Sequence, residues 1–439
     1  MATVQAARGT RDLLPAQMHA RLFVIGVIRE VFARFGFEPL ETPAFERIET
    51  LMGKYGDEGE KLVFRILERG EGGREGKADL ALRYDLTVPL ARVIAQNPAL
   101  PLPFKRYQVQ PVWRADRPQK GRFREFYQCD ADVVGCTTGL ADAECVAVAH
   151  EALSRLGFAD FEVRVNHRQL LRATCAAVGA ADREGEVLVA IDKLDKVGRE
   201  GVTKELLERG FSADVVERLW TVLAQPGNLD AVEAAIGEAA AVPATELRTL
   251  LAQVGALVGD GHRVVFDATL ARGLGYYTGP VFEAVILGGG VGSVSGGGRY
   301  DGLVGMFSGR QVPAVGVSLG LERLLVVMEE RGMLPGTGTR TQVLVTRFSA
   351  STDPDSLRAT AALRAAGIDT ETWLGEAGSL GKQFKYAAAR GIPLAVVLGP
   401  DEVAAGEAAI KDLRSGEQRK VPLVRLADEV RTTLDSPRE

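Results

Sequence analysis

The chain has 439 residues, a formal net charge of −5 and a pI near 5.7. Hydrophobic residues make up 46% of it, charged residues 25%, and the mean hydropathy is +0.02, which is typical of an ordinary globular protein of roughly three domains. The acidic balance argues against a protein that coats nucleic acid indiscriminately. Because the sequence has no run of about 18 apolar residues and no leader or transit pattern at its start, we expect a cytoplasmic protein that does not enter a membrane.

The four cysteines and four histidines are scattered along the chain. No C-x-x-C pair occurs among them, so we expect neither structural zinc nor a disulfide framework. Any catalysis is therefore expected to depend on arginines, acidic residues and a bound cofactor or nucleotide.

The first half of the chain predicts one helix followed by antiparallel strands. Apolar residues at helical spacing predict a helix from about Ala16 to Phe35, which Gly36 ends. Two prolines then favour an extended segment around Pro43. Short apolar segments with turn-rich joins predict antiparallel strands within 61–67, 80–86, 104–114 and 124–135.

The rest of the chain changes character three times. A helical insertion is predicted at about 168–262, and strand-rich sequence flanks it on both sides. Residues 331–340, rich in Gly, Pro and Thr, predict a linker. In the tail, 341–439, strands and helices alternate, and Asp353 is the expected N-cap of the first tail helix. This alternation predicts a small α/β domain with a partly parallel sheet.

An arginine-rich hairpin is the first candidate site. Arg114 ends one strand, Arg117, Lys120 and Arg122 lie in the loop, and Gln128 and Asp132 share one face of the next strand. Guanidinium groups bind phosphate and carboxylate oxygens in a bidentate manner, so such a hairpin suits an anionic ligand above a sheet. On spacing alone, a solvated charge-rich hairpin fits equally well.

Three further segments carry candidate residues. Asp85 and Thr87 share parity on a strand-like run. This pattern fits either a binding site for an ammonium group or an ordinary edge strand. "SVSGGGRYDGLVG" permits close backbone approach and ends in Arg299 and Tyr300, although a glycine run is more often a bend or bulge. In "GVSLGLERL", Arg323 is a candidate phosphate ligand, and a surface pair with Glu322 is the simpler interpretation.

The segment "LARGLGYYTGP" favours a strand with one core and one surface tyrosine. Adjacent residues of a strand point to opposite faces, so only one of Tyr276 and Tyr277 is expected in a pocket.

Taken in order, "LRYDLTVP", "RADRPQKGRFREFYQ", "LARGLGYYTGPVFEAV", "SGGGRYDGLVGMF" and "GVSLGLERL" resemble the histidyl-tRNA synthetase family of class II aminoacyl-tRNA synthetases. "LGKQFKYAAARG" in the tail resembles the same family. The hairpin resembles class motif 2, the "GVSLGLERL" segment motif 3, and the region of Pro43 the motif 1 dimer segment. The resemblance implies a class II core of α+β type with a mixed, mainly antiparallel sheet over 1–330, the helical insertion, and an anticodon-binding-like tail domain.

The resemblance also implies an activity and residue roles. The family activates histidine with ATP and Mg²⁺ and transfers it to the 3′ end of tRNA(His), usually as a homodimer. Carried over by position, the catalytic arginines would be Arg114 on the α-phosphate, Arg272 on the carboxylate and α-phosphate, and Arg323 on the terminal phosphate of ATP. Asp116 and Arg122 would support the nucleotide. The histidine site would comprise Asp85, Thr87 and Gln128 at the ammonium group, and Asp132, Tyr276, Tyr277 and Tyr300 around the imidazole. No protein metal cluster is implied, and Arg117, Gln119 and Lys120 are tRNA contact candidates.

Two non-charging relatives are alternatives: a regulatory subunit of ATP phosphoribosyltransferase and a tRNA-sensing synthetase-like protein. The tail domain and the full arginine set favour the enzyme. One residue departs from the family pattern, because Gly275 stands where the family usually has aspartate.

Overall fold

The computed structural model describes residues 4–54, 59, 61–259, 261, 263–271, 276–336 and 339–435. The chain divides into two compact units, Met1–Asp12 with Arg21–Leu334 and Leu13–Ala20 with Pro335–Glu439. Within the parts that the structure describes, no helix combines the length and apolar character that a membrane crossing requires.

The strands of the first unit form two sheets. They are β1 (Glu38–Pro39), β2 (Phe45–Arg47), β3 (Arg65–Leu67), β4 (Ala78–Leu82), β5 (Phe104–Trp113), β6 (Glu125–Val134), β7 (Phe161–His167), β8 (Val264–Phe266), β9 (Pro280–Ile286), β10 (Ser293–Arg299) and β11 (Ala314–Gly320). An eight-stranded sheet has the order β1-β5-β6-β11-β10-β9-β7-β8, and a three-stranded sheet has the order β2-β4-β3. The large sheet is antiparallel except where β1 pairs with β5 and β7 with β8.

Helices cover one side of the large sheet and form the insertion. Outside the insertion the helices are Pro15–Arg34, Ile48–Leu51, Glu71–Arg74, Thr87–Gln96, Leu140–Arg155, Gly305–Ser308 and Leu321–Glu330. The helices of the insertion are Arg168–Ala177, Glu184–Ile191, Leu194–Glu208, Ala213–Val222, Leu229–Ile236 and Ala241–Val258. Buried apolar side chains of the sheet, of Leu140–Arg155 and of the insertion form one continuous core.

The second unit contains a five-stranded sheet. Its strands are β12 (Val343–Val345), β13 (Thr370–Thr372), β14 (Leu394–Val397), β15 (Glu407–Asp412) and β16 (Gln418–Pro422), in the order β13-β12-β14-β15-β16. Its helices are Asp353–Ala365, Leu380–Ala389, Pro400–Ala405 and Leu426–Asp435. β12 pairs in parallel with β13 and β14, whereas β15 and β16 are antiparallel, so the expected partly parallel sheet is present.

The sequence prediction was wrong at the start of the first tail helix. Asp353 lies inside the helix, and Thr352 precedes it at the end of a short 3₁₀ turn. The carboxylate of Asp353 instead accepts from the Arg347 guanidinium, with Nη2 2.7 Å from Oδ2. An ion pair from the preceding strand end therefore replaces the predicted cap.

Candidate functional site

A row of glycines opens one face of the large sheet. Strand register places Gly298 of β10 opposite Gly316 of β11, and Gly316 opposite Asp132 of β6. A Cβ atom on Gly316 would lie 1.9 Å from Asp132 Oδ1, and one on Gly298 would lie 3.0 Å from the Tyr277 ring. Asp132 and Tyr277 therefore lie over Gly316 and Gly298, whereas Gly296 and Gly320 leave half-buried main chain on the same face. The four glycines are here called the glycine floor. The glycine run is therefore a strand and not the bend or bulge that glycine-rich sequence usually predicts.

Polar side chains of β6 border the glycine floor. Gln128 Nε2 donates to Ser318 Oγ at 3.2 Å and to Asp130 at 3.3 Å. The other amide atom, Gln128 Oε1, is buried and has no hydrogen-bond donor among the described residues. A buried acceptor without a donor is costly, so this oxygen is suited to a ligand that brings an N–H group.

Asp132 is held by two groups from other elements. Its Oδ2 atom lies 2.8 Å from Arg106 Nη2, and its Oδ1 atom accepts a hydrogen bond from the Tyr300 hydroxyl. Burial raises the pKa of Asp132, and the Arg106 charge and the Tyr300 hydrogen bond oppose that rise. Burial raises the pKa of the neighbouring Asp130 to about 7, again against the pull of Arg106. Both carboxylates at this border are therefore buried, and Arg106 is the charge that favours their ionisation most.

Three tyrosines pack beside these carboxylates. The rings of Tyr276 and Tyr277 are 4.8 Å apart, and those of Tyr276 and Tyr300 are 6.0 Å apart. β9 begins only at Pro280, so neither Tyr276 nor Tyr277 lies on a strand and the parity argument does not apply to them. Burial is the main cause of the raised pKa of both hydroxyls. The predicted strand is therefore absent at these two residues, and both rings pack against the same apolar cluster.

The arginine hairpin has the predicted strands. β5 and β6 are antiparallel, and Gln119 and Arg122 close the turn with reciprocal backbone hydrogen bonds of 3.1 and 2.9 Å. The Arg114 guanidinium lies over the rings of Tyr84, at 4.3 Å, and of Phe126, at 5.1 Å. Its Nε atom donates to the Tyr84 carbonyl at 3.1 Å. Stacking on two aromatic rings fixes the plane of this guanidinium.

The loop of the hairpin is more exposed. The backbone carbonyl of Asp116 accepts a hydrogen bond from Arg124 Nε at 3.1 Å, and the Asp116 carboxylate lies 3.9 Å from Arg122 Nη1. Arg117, Gln119 and Lys120 are exposed, and Lys120 forms an ion pair with Glu330. The structure thus separates a stacked arginine at the base of the hairpin from exposed basic groups at its tip.

Glu322 is buried, so the interpretation of a surface pair was wrong. It accepts from Arg21 at 2.6 and 2.9 Å, from Arg11 Nη2 at 2.7 Å and from the backbone N–H of Tyr127 at 3.2 Å. The guanidinium of Arg11 also lies 3.9 Å above the Phe123 ring. Glu322 thereby joins the start of the chain, the hairpin and the Leu321–Glu330 helix. The next residue, Arg323, donates to the Ser293 carbonyl next to the glycine floor.

The prediction that Asp85 and Thr87 lie on a strand was wrong. β4 ends at Leu82, and Thr87 begins the helix Thr87–Gln96. Asp85 Oδ1 accepts from the backbone N–H of Val88 at 3.0 Å, which satisfies one of the free donors of the first helical turn. This local hydrogen bond competes with strand formation and explains the wrong prediction.

Some of the predicted site residues lie outside the described residues, and others were not predicted at all. Arg272 and Gly275 lie outside the described residues, between Ala271 and Tyr276. The residues that sequence reasoning missed are Arg11, Arg21, Arg106 and Phe126. Arg106 had one available signal, because continuing the register of the predicted hairpin down its strands places it opposite Asp132.

The fold and the site define a class of protein. A mainly antiparallel sheet with an arginine hairpin, a glycine floor and a following arginine-bearing helix is the catalytic core of a class II aminoacyl-tRNA synthetase. Residues 9–324 match the family model described as histidyl-tRNA synthetase, and residues 342–433 match the model described as anticodon binding domain.

Individual relatives agree with the family models. The histidine–tRNA ligase of Gloeobacter violaceus is 44% identical, with 94% of this chain and 96% of the relative covered. The crystal structure of histidyl-tRNA synthetase from Nostoc sp. PCC 7120 superposes with a TM-score of 0.85 at 32% identity, over 99% of this chain and 100% of that one. The chain belongs to the histidyl-tRNA synthetase family. Its activity is the ATP-dependent ligation of histidine to tRNA.

A third similarity bears on the regulatory alternative. An ATP phosphoribosyltransferase regulatory subunit/histidyl-tRNA synthetase from Bacillus halodurans superposes with a TM-score of 0.74, over 88% of this chain and 97% of that one. The identity is 23%, so this likeness shows a shared fold alone. The curated relatives favour the ligase over the regulatory subunit.

Proposed function

We propose that this chain forms histidyl-adenylate on the glycine floor and then passes the histidyl group to tRNA(His). The observation that carries the proposal is the border of the floor. There Gln128 Oε1, which has no hydrogen-bond donor among the described residues, lies on the same strand as Asp132 with its Tyr300 hydrogen bond. An amino acid laid along this strand would meet an acceptor for its ammonium group at one end. At the other end it would meet a carboxylate and tyrosines suited to an imidazole.

In this proposal Asp85, Thr87 and Gln128 bind the ammonium group. Asp132, Tyr276, Tyr277 and Tyr300 surround the imidazole. A neutral imidazole has one N–H donor and one acceptor nitrogen, so a carboxylate and a tyrosine hydroxyl together satisfy both. Amino acids with apolar side chains of similar size would leave these buried groups unpaired and would be rejected.

The arginines act on the reacting anions. The histidine carboxylate oxygen attacks the α-phosphorus, the bond from that phosphorus to the bridging oxygen breaks, and pyrophosphate leaves. Arg114 and Arg272 offset the charge where the two anions meet, and Arg323 holds the terminal phosphate. Asp116 and Arg122 support the nucleotide from the hairpin. Positioning and charge neutralisation supply the rate, and the step needs no general base.

Magnesium would enter with the nucleotide. This ion usually keeps several waters and binds phosphate oxygens with one or two carboxylates. Glu283 fits that mode, since it is a buried carboxylate on β9 directly opposite Gly296 of the glycine floor. When bound, the ion would offset charge on the leaving pyrophosphate.

Two regions are proposed to contact tRNA. Arg117, Gln119 and Lys120 are exposed at the hairpin tip, where they can reach phosphates of the acceptor end. The proposed boundaries are a core over 1–330 and a linker over 331–340. The tail domain, 341–439, whose match is to an anticodon binding domain, would bind the anticodon arm.

We further propose a homodimer in the cytoplasm. Phe45 of β2 and Leu67 of β3 are more than half exposed on the three-stranded sheet that follows the motif 1-like segment. Exposed apolar side chains on one small sheet suit a subunit interface. Light scattering of the purified protein measures the oligomeric state directly.

The test is ATP–pyrophosphate exchange with each amino acid in turn. We expect exchange only with histidine and its abolition by Arg272→Ala, followed by charging of a single tRNA species from total tRNA. A folded protein without exchange would contradict the proposal and favour the regulatory alternative. The exchange rate of Gly275→Asp is then compared with that of the natural protein. An equal rate would mean that the glycine does not limit activity.

A further inference from the structure

Arg106 of β5 is a buried charge to which the proposed roles assign no task. None of its side chain is exposed. Its Nη2 atom lies 2.8 Å from Asp132 Oδ2 and donates to the Leu86 carbonyl at 3.2 Å, and its Nη1 atom donates to Gln108 Oε1 at 3.3 Å. Taking a guanidinium out of water costs several kcal/mol, so it is retained only where its partners compensate that cost.

Arg106 and Tyr300 approach Asp132 from different directions. Arg106 lies directly across from Asp132 on β5, and Tyr300 follows β10 on the other side of β11. Each of the two groups contacts a different carboxylate oxygen. Before any ligand binds, the carboxylate therefore has a hydrogen-bond donor at one oxygen and a cation beside the other.

We propose that Arg106 is a positioning residue that keeps Asp132 ionised and fixed, so that the site selects a neutral imidazole by its N–H group. This inference rests on the proposed function, in which Asp132 faces the imidazole. An ionised carboxylate can only accept a hydrogen bond, whereas a protonated one presents its own donor to the imidazole N–H. Because Arg106 already neutralises Asp132, an imidazolium is not needed to balance the charge.

Several titratable or charged groups surround Asp132. They are Arg106 on β5, Asp130 on β6, Tyr300 after β10, Tyr277 before β9 and Cys145 on Leu140–Arg155. Asp85, ahead of its helix, acts on the neighbouring Asp130. Arg106 is the cation among these groups. Its removal raises the pKa of Asp132 further, because the Tyr300 hydrogen bond alone then opposes the effects of burial and of the nearby carboxylate.

The experiment compares Arg106→Met with the natural protein in histidine-dependent exchange between about pH 5.5 and 8.5, a range that spans the imidazole titration. We expect the KM for histidine to rise about tenfold or more near pH 7, the cost of one buried hydrogen bond to a charged group. The difference should narrow as the pH rises, since Asp132 loses its proton. The KM for ATP should change little, and Arg106→Lys should restore part of the loss.

Arg83→Met is the matched control. Arg83 is equally buried in the same unit, but it donates to the carbonyls of Thr42 and Pro111 at 2.7 and 2.8 Å and to the Gln110 side chain. Among the described residues it forms no ion pair with a carboxylate. We expect this variant to lose stability and to keep the natural pH profile of the KM for histidine.

The inference is overturned if Arg106→Met raises the KM for histidine by the same factor at every pH, or not at all. Should that variant fail to fold, Arg106→Lys and Tyr300→Phe give the same test with smaller expected shifts, and unchanged profiles in both would overturn it. Asp132→Asn separates the two levels of the argument. If it leaves the KM for histidine unchanged, the imidazole assignment fails and takes this inference with it. If it raises that KM while Arg106→Met does not, the inference alone fails.

Discussion

Asp132 and Glu322 are both buried carboxylates bound by arginine, but their surroundings differ. Glu322 accepts four hydrogen bonds, three from Arg11 and Arg21 and one from a backbone N–H. Asp132 has one arginine and one tyrosine. Since an ionised carboxylate has about four acceptor positions, Glu322 is saturated and Asp132 is not. The number of open acceptor positions therefore separates a carboxylate that joins elements from one that can still bind a ligand.

The largest effect is expected at the saturated carboxylate. Glu322→Gln leaves the Arg21 guanidinium buried without a negative partner, and we expect the free energy of unfolding to fall by about 3–5 kcal/mol. Urea denaturation followed by circular dichroism measures it. Arg11→Ala should cost less, because that side chain is one-third exposed. A loss below about 1 kcal/mol for Glu322→Gln would place this pair with ordinary surface ion pairs and remove the contrast with Asp132.

A second prediction concerns the pH dependence of stability and Asp130, which neighbours Asp132 on β6. Burial raises the pKa of Asp130 from 3.8 to about 7, so the folded state binds this proton more tightly than the unfolded chain does. The stability that protonated Asp130 contributes is fully present below its pKa in the unfolded chain. It is lost as the pH rises through the pKa of Asp130 in the folded protein. Asp130→Asn should therefore gain stability relative to the natural protein between about pH 4 and 8. Thermal unfolding at several pH values measures the difference, and parallel curves would contradict the prediction.

The glycine floor between β6 and β9 gives a smaller expected effect. A Cβ atom on Gly298 would lie 2.8 Å from the Pro280 carbonyl and 3.0 Å from the Tyr277 ring, so Gly298→Ala should cost about 1–3 kcal/mol of stability and raise the KM for histidine. Gly296→Ala is the matched variant, since its nearest atom would be 3.9 Å away. We expect it to fold normally and to lose activity only through the volume that its methyl group takes from the ligand. Equal stabilities for the two variants would show that the close approach at Gly298 is unimportant.

The smallest stability effect is expected at the exposed pair of Lys120 and Glu330. Exposed ion pairs contribute about 0–1 kcal/mol, so Lys120→Ala should leave the unfolding free energy within that range. If Lys120 contacts a tRNA phosphate, the variant should weaken tRNA affinity and reduce its salt dependence by about one counterion. Filter binding across a salt series measures both, and Glu330→Ala, which frees the lysine, should not weaken binding.

Most of the fold was predictable from the sequence. The β5–β6 hairpin, the insertion and the alternating tail each follow from local periodicity and turn residues. The errors came from local hydrogen bonds that periodicity does not contain. Asp85 bonds to the backbone of the helix that follows it, and this contact converts an apparent strand into a helix start.

The site was less predictable than the fold. Arg114, Gln128 and Asp132 could be proposed as candidates because they lie on one hairpin, where strand parity determines which side chains share a face. Arg21 and Glu322 are 301 positions apart in sequence, and no local pattern pairs them. Tyr276 was misjudged because the segment before Pro280 is not a strand, so parity gave no information about it.

The contact of Glu322 with Arg11 and Arg21 also has a consequence for synthesis of the chain. A chain still attached to the ribosome presents both arginines early, but their carboxylate emerges only after more than 300 further residues have been added. Until then the hairpin can form locally, whereas the proposed phosphate-binding end of the site lacks the helix that carries Arg323. Nascent chains ending before that helix should therefore be unable to bind ATP, which makes nucleotide capture one of the last steps of co-translational folding.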